Sequence, residues 1–275
     1  MIHAIAIAAI VCGISFLTLL PFLPGPYDML AVPLSIMSQL FGKASLVLVP
    51  VGALWLALGY STRFAGRQYP FGLAALIALT LVWAIVSLGA LSFGGFALGA
   101  AIVAVGVYVL MRLRDGLRAR TASPRPSPAA FYLIIVPILT VVVQSAIVPR
   151  AVDGSRSRAI RNSAPKIADI EHYRRERGRY PASLMALWPD YSPSVIGIER
   201  FHYEPAGDAY NLFFEQLTVH LDTREIVMYN PLDEQEMTSH TMDLLQEPLD
   251  RLNRMRGYYA VHDAAHAHWK YFWFD

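Results

Sequence analysis

The sequence predicts an α-helical transmembrane bundle of five spans followed by a small α+β domain with an antiparallel sheet. Three observations carry that expectation. The chain is 55% hydrophobic and 16% charged over 275 residues, more apolar than an ordinary soluble domain of that length. Its charge is unevenly placed: between Met1 and Met111 the charged side chains are Asp28, Lys43, Arg63 and Arg67, whereas from Arg150 onward charges recur every few residues. Beyond Trp188 the apolar residues change from helical spacing to alternation, the period of half-buried strands.

A helix needs roughly 20 apolar residues to cross a bilayer core. The uncharged runs divide into spans at about Ile2–Phe22, Ala44–Tyr60, Phe71–Leu88, Ser92–Met111 and Ala129–Val148. The glycines of Gly89–Gly95 supply the reversal between the third and fourth. Residues 1–23 hold no Lys or Arg, and the Leu-Leu-Pro-Phe-Leu-Pro-Gly-Pro ending offers no Ala-x-Ala site, so the first run reads as a retained span and not as a signal peptide. Pro24–Gly42, apolar and punctuated by proline, reads as a segment lying along the membrane interface.

Basic loops favour the cytoplasmic side. Arg63, Arg67, Arg112, Arg114, Arg118, Arg120 and Arg125 fall on one side of a five-span chain. Lys43, Arg150, Arg156, Arg158 and Arg161 fall on the other. Seven against five places the N-terminus in the cytoplasm and the C-terminal domain in the periplasm of a bacterial inner membrane. The single Cys12 lies in the first span, which excludes an intramolecular disulfide and a thiolate zinc site.

No span contains Asp, Glu, Lys or Arg, which argues against an ion-coupled transporter, because such pathways need ionisable groups inside the membrane. Gly95-x-x-x-Gly99 and Ala53-x-x-x-Ala57 suit close helix packing, and Pro137 reads as a tolerated structural proline in the fifth span. The loop Arg112–Pro128 opens as a basic continuation of the fourth helix. Its Arg112, Arg114, Arg118 and Arg120 fit anionic lipid headgroups, and no aromatic is interleaved to suit nucleic acid.

Residues 1–149 thus read as a membrane domain, 150–162 as a linker and 163–275 as the α+β domain. Ser163 reads as the N-cap of a helix with Pro165 in its first turn and Gly178 as its stop. Pro181 delays the next helix to Ser183–Trp188. Phe201–Pro205, Ala209–Gln216, Leu217–Leu221 and Glu225–Tyr229 read as strands, with turns at Ala206–Asp208 and Asp222–Arg224.

The pattern Tyr173, Gly178, Tyr180, Pro181, Ser183, Leu184 and Leu187, followed by Phe201, Tyr203, Gly207, Asp208, Tyr210 and Leu212, resembles the globular region of type II secretion pseudopilins and type IV pilin-like proteins over roughly residues 129–230. The resemblance implies that a membrane helix runs into the domain and packs its C-terminal half on a small antiparallel sheet, with Gly-x-Tyr-Pro-x-Ser-Leu as the corner. No pilin-type processing site precedes Ala129, and the early glutamate of the apolar helix is absent, which argues against a filament subunit.

His262, His266 and His268 beside Asp263 are the candidate metal ligands, suited to zinc or another transition metal. On a helix the first two share a face and His268 points away, whereas in a strand His268 aligns with His266 but not with His262; a helix-ending, solvated histidine cluster is the competing reading. A helix over Met242–Met255 presents Leu244, Leu245, Leu249 and Leu252 on one side. The aromatic run His268–Asp275 suits the membrane interface, the domain core or a partner. No nucleophile elbow, phosphate loop, zinc-protease helix or dinucleotide fingerprint occurs, so no catalytic residue is assigned. The expected role is an accessory, assembly or scaffolding subunit bound to other membrane or periplasmic proteins, with a sensor or metal-binding module as the alternative and a transporter component behind both.

Overall fold

The structure, a computed structural model, describes residues 2–59, 68–119, 128–187, 192–218, 223–235 and 261–274. The chain forms two compact units. The first comprises Met1–Leu20 and Leu30–Val148, the second Pro21–Met29 and Pro149–Asp275.

The first unit is helical. Helix α1 spans Ile2–Leu19, α2 Ala31–Ser45, α3 Leu48–Gly59 and α4 Gln68–Ala119, and the last helix, α5, begins at Ala129 and runs to Arg177. Among the described residues, four stretches are long and apolar enough to cross a membrane: Ile2–Phe22, Ala31–Ala57, Pro70–Met111 and the helix Ala129–Arg177. The chain is therefore compatible with a membrane protein.

The second apolar stretch begins earlier than the sequence suggests. Ala31–Gly42, expected along the interface, belongs to α2, whose Ala31, Ser35, Ile36, Met37, Ser38, Gln39 and Gly42 are buried. The misleading signal is the proline punctuation, since Pro33 falls in the first turn of α2, where a missing N–H costs nothing; the polar side chains that follow are satisfied inside the bundle. Ser35 Oγ donates to Thr18 O, Ser38 Oγ to Leu34 O, and Gln39 Nε2 to Ser35 Oγ. Gln144 Nε2 joins this network from α5, donating to Thr18 Oγ1 and Ser38 O at 3.0 Å each. Gly42 makes room for it, since a Cβ there would collide with Gln144 Oε1.

The expected runs Phe71–Leu88 and Ser92–Met111 both lie in α4. Gly95 interrupts it with φ 75° and ψ 176°, a conformation that L side chains rarely adopt. The two arms meet: Trp83 Nε1 donates to Ile102 O at 2.9 Å, and a Cβ on Gly106 would strike the Trp83 indole. Helices α1 and α5 run parallel. His3 Nδ1 lies 3.0 Å from Tyr132 Oη near both N-terminal ends, Ile7 and Val11 pack on Val136 midway, and Thr18 meets Gln144 further along.

In the second unit, residues 151–162, expected as a linker, are helical within α5. Ser163 is not an N-cap: it is buried mid-helix, with its hydroxyl donating to Ile160 O. Short polar residues had suggested a break, but a serine can satisfy itself against the preceding turn. The helix stops where expected, Gly178 adopting φ 68° and its N–H reaching Arg174 O at 2.8 Å. Past Pro181 the chain makes one 3-10 turn, Leu184–Ala186, in place of the longer helix expected to Trp188, which lies outside the described residues.

Strands β1 (His202–Ala206), β2 (Ala209–Leu217), β3 (Arg224–Tyr229), β4 (Val261–Asp263) and β5 (Trp269–Phe274) form an antiparallel sheet in the order β1-β2-β3-β5-β4. Gly207 and Asp208 close the first hairpin, Gly207 at φ 56°. Leu217, expected to open a strand of its own, ends β2; residues 219–222 and the expected helix Met242–Met255 lie outside the described residues. The aromatic run is β5, an interior strand with Trp269 and Phe272 buried, so of its three readings the structure selects the core.

One face of the sheet packs on α5. Tyr210, Leu212, Phe214, Val227 and Trp269 meet Ala159, Ile160 and Ile170 of the helix, with Leu184, Val195, Ile198 and Phe201 closing the same core. Burying one such side chain contributes about 1.5–3 kcal/mol. Phe213, Ile226, Met228 and Phe272 form a second buried cluster.

Candidate functional site

Alternation along a strand sends every second side chain to one face. The pairs Gln216 with Glu225 and Glu225 with Trp273 therefore place three polar groups in one row across β2, β3 and β5. Helix α5 brings Val152, Asp153, Ser155 and Arg156 onto that row.

Arg156 grips Glu225 through a two-pronged contact, Nε to Oε1 at 2.7 Å and Nη2 to Oε2 at 2.8 Å. Gln216 Nε2 donates to Oε1 and Trp273 Nε1 to Oε2, both at 2.7 Å. The fully buried carboxylate thus accepts four hydrogen bonds, about the number of its lone-pair sites. Ser155 Oγ donates to Gln216 Oε1 at 2.7 Å, and Arg156 Nη1 donates to the exposed Asp153 Oδ1 at 2.8 Å. The guanidinium carbon lies 3.8 Å above the Tyr271 ring. Burial acts to lower the Arg156 pKa, but the hydrogen bond and charge of Glu225 outweigh it and raise it, so the group stays cationic. Every strong donor and acceptor in this cluster has a partner. Its chemistry is that of a clamp holding helix to sheet, with no acid, base or nucleophile left free.

His262 sits next to it. Its ring stacks on Tyr271 at 4.8 Å and 22°, and lies 4.6 Å from Trp273. Its Nε2 is buried with no hydrogen-bond partner. His266 lies in the turn between β4 and β5, and His268 adopts φ 67° with Nδ1 3.2 Å from Asp233 Oδ2. The three candidate ligands thus stand on a strand, a turn and the residue before the next strand, so neither the shared helix face nor a single strand holds them together. Among the described residues no group of three His, Cys, Asp or Glu side chains is arranged to hold a metal ion.

The Gly-Arg-Tyr-Pro corner forms a second polar cluster. Tyr180 Oη donates to Glu171 Oε1 and accepts from Arg174 Nη1, whose guanidinium carbon lies 4.4 Å over the Tyr180 ring. Tyr203 Oη donates to Pro181 O at 2.8 Å. Tyr180, Tyr203 and Tyr229 all pack on the ring of Tyr210, with centroids 4.9–5.8 Å apart. Burial raises the pKa values of Tyr180, Tyr203, Tyr210 and Tyr229, with Glu171 adding to each, so all four are neutral phenols at physiological pH.

His202 stacks on Phe213 at 5.0 Å and 16°, and burial, then Arg200, lowers its pKa from the ordinary value of about 6.5. Burial, then Arg156 against the opposing pull of Glu225, lowers that of His262. For both, the unfolded chain binds the proton more readily, so their contribution is complete above the ordinary value and is lost as pH falls through it. We expect the denaturation midpoint of the second unit to drop between pH 7.5 and pH 5, and to drop less in His202→Gln. Equal drops in variant and parent would refute the assignment.

Comparison with protein-family models, curated proteins and solved structures finds no match to this chain.

Proposed function

We propose that the chain is a five-span protein of a bacterial inner membrane whose C-terminal unit is a pilin-like periplasmic domain, serving as an accessory, assembly or scaffolding subunit through protein–protein contacts. The observation that carries the reading is the form of α5. It is one 49-residue helix, apolar at first, whose later turns pack on an antiparallel sheet and end in the Gly-x-Tyr-Pro corner. That is the arrangement implied by the sequence resemblance. The internally satisfied clamp supports an interaction role, since it offers no free reactive group.

Two features of the first unit support five spans. Gly95 divides α4 into two arms that pack on each other, so Pro70–Met111 suits two crossings. Parallel α1 and α5 require an odd number of crossings between them, which the stretch Ala31–Ala57 and two arms of α4 supply. The basic end of α4, with Arg112, Arg114, Arg118 and then Arg120, suits anionic headgroups of the cytoplasmic leaflet.

Both parts are testable in native membranes. In a Cys12→Ser background, Glu199→Cys is expected to react with an impermeant maleimide from the periplasmic side, and Arg114→Cys only after the membrane is opened. Labelling of both from one side would exclude the topology. A photo-crosslinker at Glu199 is expected to capture one recurrent protein band; a chain that purifies alone and captures nothing would exclude the interaction role. A second reading, a zinc or other transition-metal site at His262, His266 and His268, draws on the unpartnered His262 Nε2. Metal content that is nil in the parent, or unchanged in the triple alanine variant, would end it.

A further inference from the structure

The loop leaving α1 is built into the second unit. Gly197 N–H donates to Pro21 O at 2.7 Å, Ile196 N–H to Leu23 O at 2.9 Å, Gly25 N–H to Ser194 O at 3.2 Å and Asp28 N–H to Ile196 O at 3.0 Å. Pro24 and Val195 form an antiparallel bridge. Pro21 and Phe22 are buried, and the segment they cover carries Val195 and Ile198, both part of the core between α5 and the sheet. The approach is close enough to require glycine: a Cβ on Gly197 would collide with the Pro21 ring and come within 2.7 Å of the Pro21 carbonyl oxygen. Backbone cannot give way as a flexible side chain can.

From this pairing we infer that Pro21–Met29 is a strap, a segment from the N-terminal part of the chain that completes the 192–198 corner of the C-terminal unit. The strap begins one residue beyond Leu20, where α1 and its membrane-length stretch are ending. The corner holds Val195 and Ile198 against α5 and the sheet. The unit is therefore composite. It is completed only when the loop after the first apolar helix and the segment after the last one emerge on the same side of the membrane. That requirement stands independently of any partner, metal or pilin-like ancestry.

The test uses the full-length chain in its native membrane, in a Cys12→Ser background. Pro24→Cys with Val195→Cys is expected to form a disulfide under mild oxidation, seen as a reductant-sensitive mobility shift. Asp263→Cys with Lys270→Cys, a registered pair of β4 and β5, controls for oxidation. Hydrogen exchange then reads the strap itself. The amides of Gly25, Asp28, Ile196 and Gly197 are expected to be protected, and Gly197→Ala to speed exchange at Gly25 and Ile196 by about tenfold or more. Gly154→Ala, where a Cβ meets nothing within 4 Å, should leave them unchanged. Failure of the Pro24–Val195 pair to link while the control pair links would overturn the strap, as would equal exchange in the two glycine variants. If Gly197→Ala proves too damaged to purify, the cross-link alone decides. A strap that fails while a partner is still captured at Glu199 would leave the interaction role standing, and the reverse outcome would leave the strap.

Discussion

Glu225→Gln is expected to destabilise the C-terminal unit by about 3–5 kcal/mol, the usual cost of removing one partner from a buried ion pair. The Glu225 side chain is 0% exposed and that of Arg156 9% exposed, so solvent cannot replace the lost charge. The amide could keep some of the four contacts now made by Arg156, Gln216 and Trp273, but one of its two polar atoms would face donors with another donor. Arg156 would then be left cationic, with the exposed Asp153 as its remaining carboxylate among the described residues. Pulse proteolysis of the full chain in detergent, cutting in the second unit, measures the change. The double variant Arg156→Met with Glu225→Leu separates specificity from stability. Two apolar groups of similar volume remove both charges together, and such replacements are often neutral or stabilising by about 1–4 kcal/mol. The double variant is expected to recover part of the loss and not all of it, because Gln216 Nε2 and Trp273 Nε1 lose the carboxylate they donate to. A single variant within about 1 kcal/mol of the parent would show that the clamp contributes no more than an exposed pair does.

The clamp was within reach of the sequence, although its meaning was hidden. In β2 the inward positions read Tyr210, Leu212, Phe214 and Gln216, and in β3 they read Glu225, Val227 and Tyr229. A glutamine and a glutamate on an otherwise apolar face are the signature of a buried polar pair. What the sequence withheld was the cation, because Arg156 lies in a stretch of Gly, Ser and Arg that reads as a linker. A polar helix carries no helical signal in hydropathy when its buried face is itself polar, and here Ser155, Arg156 and Ser163 share that face with Val152, Ala159 and Ile160. The second apolar stretch was shortened for another reason: the prolines of Pro24–Gly42 suggested an interface segment, but Pro33 sits in the first turn of α2, which tolerates it. Local backbone chemistry was the legible part: Gly178 ended the helix, Gly207 turned the hairpin and Gly95 fell at the edge of the expected reversal. The strap was illegible in principle, since nothing in Pro21–Met29 announces a partner more than 160 residues away. For the histidines the i, i+4 spacing of His262 and His266 suited a helix while a strand would align His266 with His268, and the sequence alone did not decide between them. The cross-strand pairing of β4 and β5 sets their places instead.

Tyr210 supplies the other large expected effect, and two substitutions at that position should differ in sign or nearly so. The residue is fully buried, with three tyrosine rings on its own and Ile170 and Leu184 in the same core. Tyr210→Ala opens a cavity that the surrounding strands cannot collapse, and the cost expected for a large buried aromatic is about 3–5 kcal/mol. Tyr210→Phe should cost little or add stability. The buried hydroxyl has no partner in good hydrogen-bond geometry, although Glu171 and Tyr229 lie close enough to raise its pKa; a poorly satisfied buried polar group costs up to about 1–3 kcal/mol, part of which deleting the oxygen recovers. The glutamate should report the change independently. With the phenol gone, Glu171 keeps Tyr180 as its hydrogen-bond donor, so Tyr180 should be held at least as firmly, and its ring contacts visible by NMR should persist in Tyr210→Phe and vanish in Tyr210→Ala. A phenylalanine variant as unstable as the alanine variant would mean that the hydroxyl, and not the ring, holds the corner together, and the tyrosine cluster would then be a polar network instead of an aromatic core with one stranded oxygen.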